Sequence, residues 1–236
     1  MKKLILVRHG QSIYNTAHKF TGWADAPLSE TGVLQAQTAG KLLAEAGLLP
    51  QTVFTSYLRR ARQTLAEIRR QTNPNALIQT DWRLNERHYG ALQGLTREEA
   101  FRLYGKEKVL SWRRTYTAAP PPAADNSSAL RLVPPGVTPP NGESLQECMK
   151  RLEPCWRERV LPAFQTQDTV LVVAHEDLLR GLLKQLKNQT DAQLQAQVIP
   201  PAAPWVFELD ENVTPVQDRL LGDPDEIRRF LRARPH

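Results

Sequence analysis

The sequence of 236 residues lacks the features that mark membrane-bound, secreted or repetitive proteins. No apolar run approaches the roughly 20 residues that a membrane-spanning helix needs. The apolar run after Lys2 and Lys3 is too short for the core of a signal peptide. There are only two cysteines, Cys148 and Cys155, and both fall on a predicted helix, where we expect them to stay reduced. These absences predict a cytoplasmic protein with no membrane partner.

The sequence also lacks a compact basic run interleaved with aromatic residues, and it contains no DNA- or RNA-binding motif. Its formal net charge is nevertheless +6 at pH 7, which favours acidic partners. The arginines are scattered, and many of them flank segments that are predicted to form the loops of a site. The charge pattern therefore favours a small, highly charged anion as the ligand, and we expect no nucleic-acid partner.

Short apolar runs alternate with amphipathic segments along most of the chain. The apolar runs predict β-strands at 4–7, 53–56, 76–80, 169–174 and 205–209, the last of them edge-like. Apolar spacing and capping residues predict helices from Ser29 to about Ala46, from about Leu58 to Arg70, after Thr96 and after Ser144. This alternation predicts an α/β fold with a mostly parallel central sheet flanked by helices on both faces, in three layers.

The whole chain, 1–236, is predicted to form a single domain, because strands and helices resume after its one long irregular segment. That segment, at about 118–140, is rich in proline, and we interpret it as a surface excursion. Pro154 is expected to kink or interrupt the helix that contains it. The chain from about 215 is polar, and it is predicted to be a partly mobile tail.

The tripeptide Arg8-His9-Gly10 directly follows the first predicted strand. It places an imidazole and a guanidinium at the carboxyl end of a strand, where open α/β sheets bind their ligands. A histidine nitrogen can attack a phosphoryl group while an arginine holds the anionic oxygens by paired hydrogen bonds. On these residues alone, a purely structural histidine is an equally good interpretation.

A second apolar strand, 169–174, also ends in a histidine, His175, and Arg180 follows in the first turns of the next predicted helix. Two strands that each deliver a histidine at the same end favour a shared pocket. One ring can then attack while the other donates hydrogen bonds to the transferring phosphoryl oxygens. The alternative is a pair of unrelated structural histidines.

Seven segments carry a family resemblance, and they run in order across nearly the whole chain. They are LVRHGQSIYN (6–15), FTGWADAPLSETG (20–32), TSYLRRARQTL (55–65), WRLNERHYGALQGLTREEA (82–100), SWRRTY (111–116), PPP (120–122) and GESL (142–145). With these segments the chain resembles the cofactor-dependent phosphoglycerate mutases of the histidine phosphatase superfamily, which implies a phosphoglycerate mutase-like fold. WRLNERHYGALQGL is especially specific, because phosphatases elsewhere in the superfamily lack it.

The resemblance implies a catalytic role for five residues. His9 would carry the phosphoryl group as a covalent phosphohistidine, which divides the reaction into two transfers. Arg8, Arg60 and His175 would surround that group and offset its charge. Glu86 would be the general acid and base for the substrate hydroxyl, the alternative being a solvated loop carboxylate.

The resemblance also implies a set of residues that bind the substrate's carboxylate and distal phosphate. These are Ser12, Asn15, Thr21, Gly22, Arg87, Tyr89, Arg97, Arg113 and Arg114, together with Glu176 and Asp177 after the second histidine. Arg97 stands where the family usually has lysine. A tryptophan precedes Arg113 and a tyrosine lies two residues beyond Arg114, which favours an oriented pair over a solvated one.

The chain departs from the family pattern in two loops. After the second histidine the family usually has Gly-Asn-Ser-Leu-Arg, whereas this chain has Glu-Asp-Leu-Leu-Arg at 176–180. A carboxylate about 4–6 Å from a phosphate would cost on the order of 3–4 kcal/mol at an effective dielectric constant near 20, and little if Glu176 turns outward. The second departure is Pro-Pro-Ala-Ala-Pro at 200–204, where the family tends to have Pro-Thr-Gly-Ile-Pro.

The activity implied by the resemblance is an isomerisation of glycolysis and gluconeogenesis that interconverts 3- and 2-phosphoglycerate through a phosphohistidine. It implies 2,3-bisphosphoglycerate as the primer of the phosphoenzyme, no metal ion, a small phosphorylated carboxylic acid as substrate, and a homodimer or homotetramer. The Glu176-Asp177 departure leaves two alternatives. One is a sibling enzyme that mainly hydrolyses phosphate esters and has weak mutase activity; the other is a catalytically impaired paralogue retained for binding or regulation.

Overall fold

The central feature of the computed structural model, which describes residues 1–233, is one mixed sheet of six strands. The strands are β1 (Lys2–Arg8), β2 (Thr52–Thr55), β3 (Leu77–Thr80), β4 (Thr169–Ala174), β5 (Trp205–Leu209) and β6 (Pro215–Leu220). Their order across the sheet is β3-β2-β4-β1-β5-β6. The first four strands in this order are parallel to one another, and β5 is antiparallel to both β1 and β6.

Ten α-helical segments accompany the sheet within the same residues. They are α1 (Ile13–Thr16), α2 (Glu30–Glu45), α3 (Arg59–Gln71), α4 (Arg97–Tyr104), α5 (Lys106–Arg114), α6 (Leu145–Cys155), α7 (Leu161–Ala163), α8 (Glu176–Leu186), α9 (Asp191–Ala196) and α10 (Pro224–Ala233). Short 3₁₀ turns occur at Trp82–Leu84, Gly90–Leu92 and Ser127–Leu132. Side-chain caps predicted from the sequence are present, because the hydroxyls of Ser29, Thr96 and Ser144 each accept a main-chain N–H of the helix that follows.

The apolar side chains of the sheet point alternately to two helical layers. On one face, Leu4 and Val170 pack with apolar residues of α6 and α8. On the other face, Ile5 and Leu171 pack with α2 and α3. Strands buried on both faces read as continuous apolar runs, which is why the sequence pattern predicts a sheet covered on both sides. The predicted three-layer α/β fold is confirmed.

The sheet brings the two histidine-bearing strand ends together. β1 and β4 are adjacent and parallel, and the main-chain N–H of His9 donates to the carbonyl of Ala174 at 3.0 Å. The turn after His9 packs so closely on α2 that a Cβ at Gly10 would overlap the carbonyl of Gly32. Glycine at position 10 therefore allows the backbone approach that places His9 at this edge of the sheet.

The carboxyl-terminal part of the chain differs from the sequence-based expectation. The strand at 205–209 is not an edge strand, because β5 pairs with β1 on one side and with β6 on the other. The segment from 215, predicted to be a partly mobile tail, contains the edge strand β6 and the helix α10. Residues 234–236, which the predicted tail and domain include, lie outside the described residues. Most residues of β6 are polar and exposed, so its sequence lacks the apolar run that predicts a strand. The strand forms because it pairs with β5.

The proline-rich segment at 118–140 is more than the surface excursion expected from its composition. Its 3₁₀ turn buries Ala129 and Leu132 against Trp23 and Leu58 in a small apolar cluster. Pro154 acts as predicted, because regular α-helical geometry ends at Cys155 and a π turn follows over Trp156–Val160. Cys155 and Cys148 are both buried and unpaired.

Candidate active site

His9 is held with one ring nitrogen fixed and the other presented to basic groups. Its Nδ1 lies 2.7 Å from the carbonyl oxygen of Gly10, which can only accept, so Nδ1 carries the proton. The Nε2 lone pair faces the Nε of Arg60 at 3.1 Å. Burial, followed by the charges of Arg60 and Arg8, holds the pKa of His9 well below its usual range. The ring is therefore neutral at pH 7, and Nε2, which accepts the hydrogen bond from Arg60, is the unprotonated nitrogen that can act as a nucleophile once a phosphoryl group replaces that contact.

His175 lies beside His9 at the end of β4, with the two ring centroids 5.2 Å apart. It is fully buried, and its Nε2 lies 2.7 Å from the hydroxyl oxygen of Ser56. Burial, together with the charges of Arg60 and His9, lowers its pKa well below the usual range. The two strand ends thus present a pair of neutral imidazoles rather than two cations.

Two arginines flank the histidine pair, and each is fixed by main-chain carbonyls. Arg60 donates from Nη2 to the carbonyl of Gly22 at 2.8 Å and from Nη1 to that of Ala24 at 3.0 Å. Arg8 donates from Nη1 to the carbonyl of Ile199 at 2.8 Å. Burial lowers the pKa of Arg60 to about 10, which keeps it charged at neutral pH. Fixed cations of this kind suit the stabilisation of phosphoryl oxygens without reorganisation.

Glu176 is the residue whose orientation the sequence left open. It is the first residue of α8, and its carboxylate forms an ion pair of 3.0 Å with Nη2 of Arg8. It therefore does not turn outward, away from the site. It contributes a negative charge to the wall of the cavity. This charge is paired with Arg8, the cation that the family resemblance assigns to the phosphoryl group.

Glu86 has the environment of a proton-transfer group. Its carboxylate accepts main-chain N–H groups of Arg87 at 2.9 Å and of Leu178, in the first turn of α8, at 3.2 Å. Burial and the neighbouring Asp177 carboxylate raise the pKa of Glu86 to about 7, against the lowering effect of the Arg87 hydrogen bond and the Arg60 charge. A carboxyl group with a pKa near neutrality can both give and take a proton at physiological pH.

Asp177 is the centre of a buried charged network. Its carboxylate accepts from the Tyr89 hydroxyl at 2.5 Å, from Nε of Arg87 at 3.0 Å and from Nη1 of Arg180 at 2.9 Å. Burial alone would raise its pKa, but Arg87 and Arg180 hold the pKa well below the usual range for a carboxyl group. Asp177 is therefore ionised, and it binds the cations that a buried carboxylate requires.

These groups open into one cavity of about 450 Å³ at the carboxyl end of the parallel strands. It brings together most of the residues assigned from the sequence: Arg8, His9, Asn15, Thr21, Gly22, Arg60, Glu86, Tyr89, Arg97, Arg113, Arg114, Glu176 and Asp177. Ser12, Arg87 and His175 are buried outside the lining. Ser12 caps α1 together with Asn15, and the Arg87 guanidinium also donates to the Trp112 carbonyl.

The cavity also includes residues to which the sequence assigned no role. They are Gln11, His18, Lys19, Phe20, Arg180, Gln195, Ala196, Gln197, Val198, Pro201, Phe230 and Leu231. Phe230 and Leu231 belong to α10, and no local pattern in the sequence places that helix over the site. Ser56, which contacts His175, was recognisable in principle, because it is the last residue of the strand predicted at 53–56, at the edge that carries both histidines.

Residues 1–233 contain no group of three or more histidine, cysteine, aspartate or glutamate side chains placed to hold a metal ion. In the same range, no helix combines the length and apolar character needed to cross a membrane.

Together, the fold and the site define a class: an α/β protein with a neutral histidine pair and fixed arginines at the carboxyl end of its parallel strands, suited to phosphoryl transfer. Residues 4–218 match the family model described as Histidine phosphatase superfamily (branch 1). The chain belongs to this superfamily.

The chain is similar to phosphoglycerate mutases in sequence and to a phosphatase in structure. The 2,3-bisphosphoglycerate-dependent phosphoglycerate mutase of Parabacteroides distasonis is 41% identical over 99% of this chain and 97% of its own length. The protein of the same name from Porphyromonas gingivalis is 40% identical over the same shares. Among solved structures, a mycobacterial glucosyl-3-phosphoglycerate phosphatase in complex with VO3 is 28% identical, with a TM-score of 0.72, and covers 93% of this chain and 97% of that one.

Proposed function

We propose that this protein is a cytoplasmic phosphoglycerate mutase that interconverts 3-phosphoglycerate and 2-phosphoglycerate and is primed by 2,3-bisphosphoglycerate. The observation that carries the proposal is the neutral His9, whose Nε2 faces Arg60 in an arginine-lined cavity that also contains Glu86. Relatives about 40% identical over nearly their whole length bear that mutase name, which supports the choice of substrate.

His9 performs the covalent step in this proposal. Its Nε2 forms a bond to phosphorus while the bond from phosphorus to the donor oxygen breaks, and the hydrogen bond from Nδ1 to Gly10 keeps the ring oriented. Arg8 and Arg60 balance the charge on the transferring oxygens. Because the transition state of phosphoryl transfer is loose, positioning and charge supply most of the rate enhancement.

Glu86 carries the proton. As the bond between phosphorus and the substrate oxygen breaks, that oxygen takes a proton from Glu86. In the second transfer, the other hydroxyl of the substrate attacks the phosphohistidine, and the Glu86 carboxylate removes the proton of that hydroxyl. A pKa of about 7 suits both directions of this exchange. The main-chain donors of Arg87 and Leu178 hold the carboxyl group in place during both transfers.

The remaining lining fits a substrate that carries a carboxylate and a second phosphate. Arg97, Arg113 and Arg114 add cations to those beside His9, and Tyr89 adds a hydroxyl. The same donor set fits the doubly phosphorylated primer, since it provides cations for both phosphates within about 450 Å³. When bound, 2,3-bisphosphoglycerate would supply the phosphoryl group that charges His9. Phe230 and Leu231 would help to keep water from the phosphohistidine.

The decisive experiment is incubation of the purified protein with radiolabelled 2,3-bisphosphoglycerate. We expect an acid-labile, base-stable phosphoenzyme in the wild-type protein and none in His9→Ala. A matched control is His18→Ala, because His18 also lines the cavity but has no assigned role in the reaction. An unlabelled wild-type protein would exclude the mutase, and label retained by His9→Ala would exclude His9 as the acceptor.

A second candidate function, hydrolysis of phosphate esters with weak mutase activity, is favoured by one observation. The Glu176 carboxylate is paired with Arg8 in the cavity wall, so an incoming phosphate meets a negative charge where the mutase pattern has glycine. Mutase and phosphatase rates measured side by side, with and without 2,3-bisphosphoglycerate, separate the two functions. A mutase rate below the rate of phosphate release would favour the phosphatase, and mutase turnover that needs no primer or depends on manganese would exclude the cofactor-dependent, metal-free mechanism.

We further propose that the protein forms a homodimer or a homotetramer. β3 is an edge strand whose outer hydrogen-bonding groups have no strand partner among residues 1–233, and its Leu77 and Ile78 are exposed. Exposed apolar edge strands favour association with another chain. Light scattering after size exclusion tests the state, and Ile78→Lys should lower the oligomer mass if this edge is the contact.

A further inference from the structure

Ser56 lies directly after β2, at the edge of the sheet where β1 and β4 deliver their histidines. It is fully buried, and its Oγ is 2.7 Å from Nε2 of His175. Neither the site residues assigned from the sequence nor the proposed mechanism gives this hydroxyl a role. The contact is nevertheless the one hydrogen bond that the His175 ring makes within residues 1–233.

The direction of this hydrogen bond follows from counting donors and acceptors. The main-chain N–H of Leu58 donates to Ser56 Oγ at 3.2 Å, which uses the oxygen as an acceptor. Within the described part of the chain, Nε2 of His175 is then the acceptor that remains for the hydroxyl proton. If Nε2 carried the proton instead, the buried hydroxyl proton would have no acceptor, which typically costs about 1–3 kcal/mol.

The ring of His175 is therefore assigned its single proton on Nδ1: within residues 1–233 this tautomer leaves only the Nδ1–H unpaired, whereas the Nε2–H tautomer leaves both the Ser56 hydroxyl proton and the Nδ1 lone pair unpaired. Nδ1 is buried and makes no hydrogen bond to residues 1–233, so this N–H is available to donate to a ligand. The ring centroid of His9 is 5.2 Å away, and a phosphoryl group on His9 would provide oxygens as acceptors. Burial lowers the pKa of His175, so the ring is neutral and carries its proton on only one of its two nitrogens.

We propose that Ser56 is a positioning residue whose hydroxyl donates to Nε2 of His175 and thereby directs the Nδ1–H of that ring to the transferring phosphoryl oxygens. The hydroxyl acts on the tautomer and the orientation of His175 and does not touch the substrate. Which nitrogen of a histidine carries the proton is commonly set by the hydrogen bond at the other nitrogen. Only the identity of the acceptor rests on the proposed phosphoryl transfer; the tautomer does not.

The tautomer can be measured without any substrate. Nitrogen-15 correlation spectra of the wild-type protein at neutral pH, with His175→Gln to assign the signals, should show His175 protonated at Nδ1. In Ser56→Ala we expect a mixture of the two tautomers, and in Ser56→Thr, which keeps the hydroxyl, the Nδ1–H form. A wild-type ring protonated at Nε2 would overturn the proposal even if Ser56→Ala does not fold.

The kinetic consequence is a slower phosphoenzyme. Ser56→Ala should lower the rate of phosphoenzyme formation by about 10- to 100-fold, by analogy with the loss of a partner that orients a metal-bound histidine. Thr55→Val is the matched control, because it removes the neighbouring buried hydroxyl, which donates to the Val173 carbonyl and not to a histidine. It should leave the tautomer and rate unchanged. A slower Ser56→Ala whose His175 keeps the Nδ1–H form would assign Ser56 a merely structural role and overturn the proposal.

The two proposals fail in different ways. If His175 is protonated at Nδ1 but the wild-type protein takes no label from 2,3-bisphosphoglycerate, the tautomer assignment stands and the proposed function is excluded. If the phosphoenzyme forms but His175 is protonated at Nε2, the function stands and the role of Ser56 is excluded.

Discussion

Arg8 and Glu176 form an ion pair of 3.0 Å between the end of β1 and the start of α8. Both side chains are largely buried, so solvent screens the pair less than it would at the surface. A phosphate that binds to Arg8 must either displace the Glu176 carboxylate or accept its proximity. The Glu176 carboxylate thus offsets part of the positive charge of Arg8 in the cavity wall, and we expect this pair to weaken the binding of anions.

Removal of the Glu176 charge should therefore strengthen anion binding. We expect Glu176→Gln to lower the inhibition constant of vanadate or inorganic phosphate by about tenfold, equivalent to about 1.4 kcal/mol. The full Coulomb energy is not recovered, because part of the ion pair is lost at the same time. Glu158→Gln is the control, because Glu158 is an exposed carboxylate near Arg83 that does not line the cavity. An unchanged inhibition constant in Glu176→Gln would mean that the carboxylate does not oppose phosphate.

Asp177 should control the pH dependence of the reaction through Glu86. Its negative charge helps to raise the pKa of Glu86 to about 7, so Asp177→Asn should lower that pKa. The limb of the pH–rate profile that reports Glu86 should then move from near neutrality to lower pH, whether Glu86 is needed as acid or as base. The measurement is kcat/KM across the neutral range.

The control for this prediction is Asp81→Asn. Asp81 is also a buried carboxylate that binds two arginines, Arg83 and Arg159, but it lies outside the cavity. Its replacement should cost stability and leave the profile in place. If this limb has the same apparent pKa in Asp177→Asn and in the wild-type protein, Asp177 does not set the pKa of Glu86.

Phe230 should limit hydrolysis of the phosphohistidine. It reaches the cavity from α10, and Phe230→Ala would remove apolar surface that excludes water there. We expect the ratio of phosphate release to mutase turnover to rise several-fold. Leu103→Ala serves as the control, because Leu103 is an exposed apolar residue of α4 that does not line the cavity. An unaltered ratio in Phe230→Ala would assign the exclusion of water to other residues.

Ala202 occupies a backbone conformation that favours glycine. Its φ is +52°, it is buried, and its N–H donates to the carbonyl of Arg8 at 2.8 Å. Left-handed backbone costs a residue with a Cβ about 1–2 kcal/mol, which exceeds the entropy that glycine gains in the unfolded chain. Ala202→Gly should raise the free energy of unfolding by up to about 1 kcal/mol, as measured by urea denaturation.

The neighbouring alanine gives a direct comparison for this prediction. Ala203 is not among the residues with positive φ, so Ala203→Gly should lower the free energy of unfolding instead. Equal effects of the two glycine substitutions would show that the conformation of Ala202 is not strained.

The layers of the fold and the edge that holds the site could be predicted from the sequence, because they depend on local signals. Apolar runs marked β1 and β4, and a histidine after each run placed both rings at one end of the sheet. The direction of the Glu176 side chain could not be predicted, because it depends on the position of Arg8, which lies on the neighbouring strand β1 and is distant in sequence. The same limit applies to α10, since its contact with the cavity comes from tertiary packing.

Burial also separates residues of the same type to which the family resemblance assigns the same role. Arg87 and Arg113 belong to neighbouring motifs, but only Arg113 lines the cavity. Arg87 is almost fully buried, and its guanidinium binds Asp177 and main-chain carbonyls. A motif identifies which residues recur together; it does not indicate which of them face the ligand and which support those that do.

The pairing of β1 determines when the nucleophile can be assembled. Both sheet neighbours of this strand, β4 and β5, come from the last third of the chain, with Leu4 opposite Val170 on one side and Phe207 on the other. During synthesis β1, which places His9 at its end, leaves the ribosome before both partners: it has no β4 until about Ala174 has followed it and no β5 until about Leu209 has. Contacts between such distant segments slow folding, so a nascent or truncated chain would contain the nucleophile long before it contained a site.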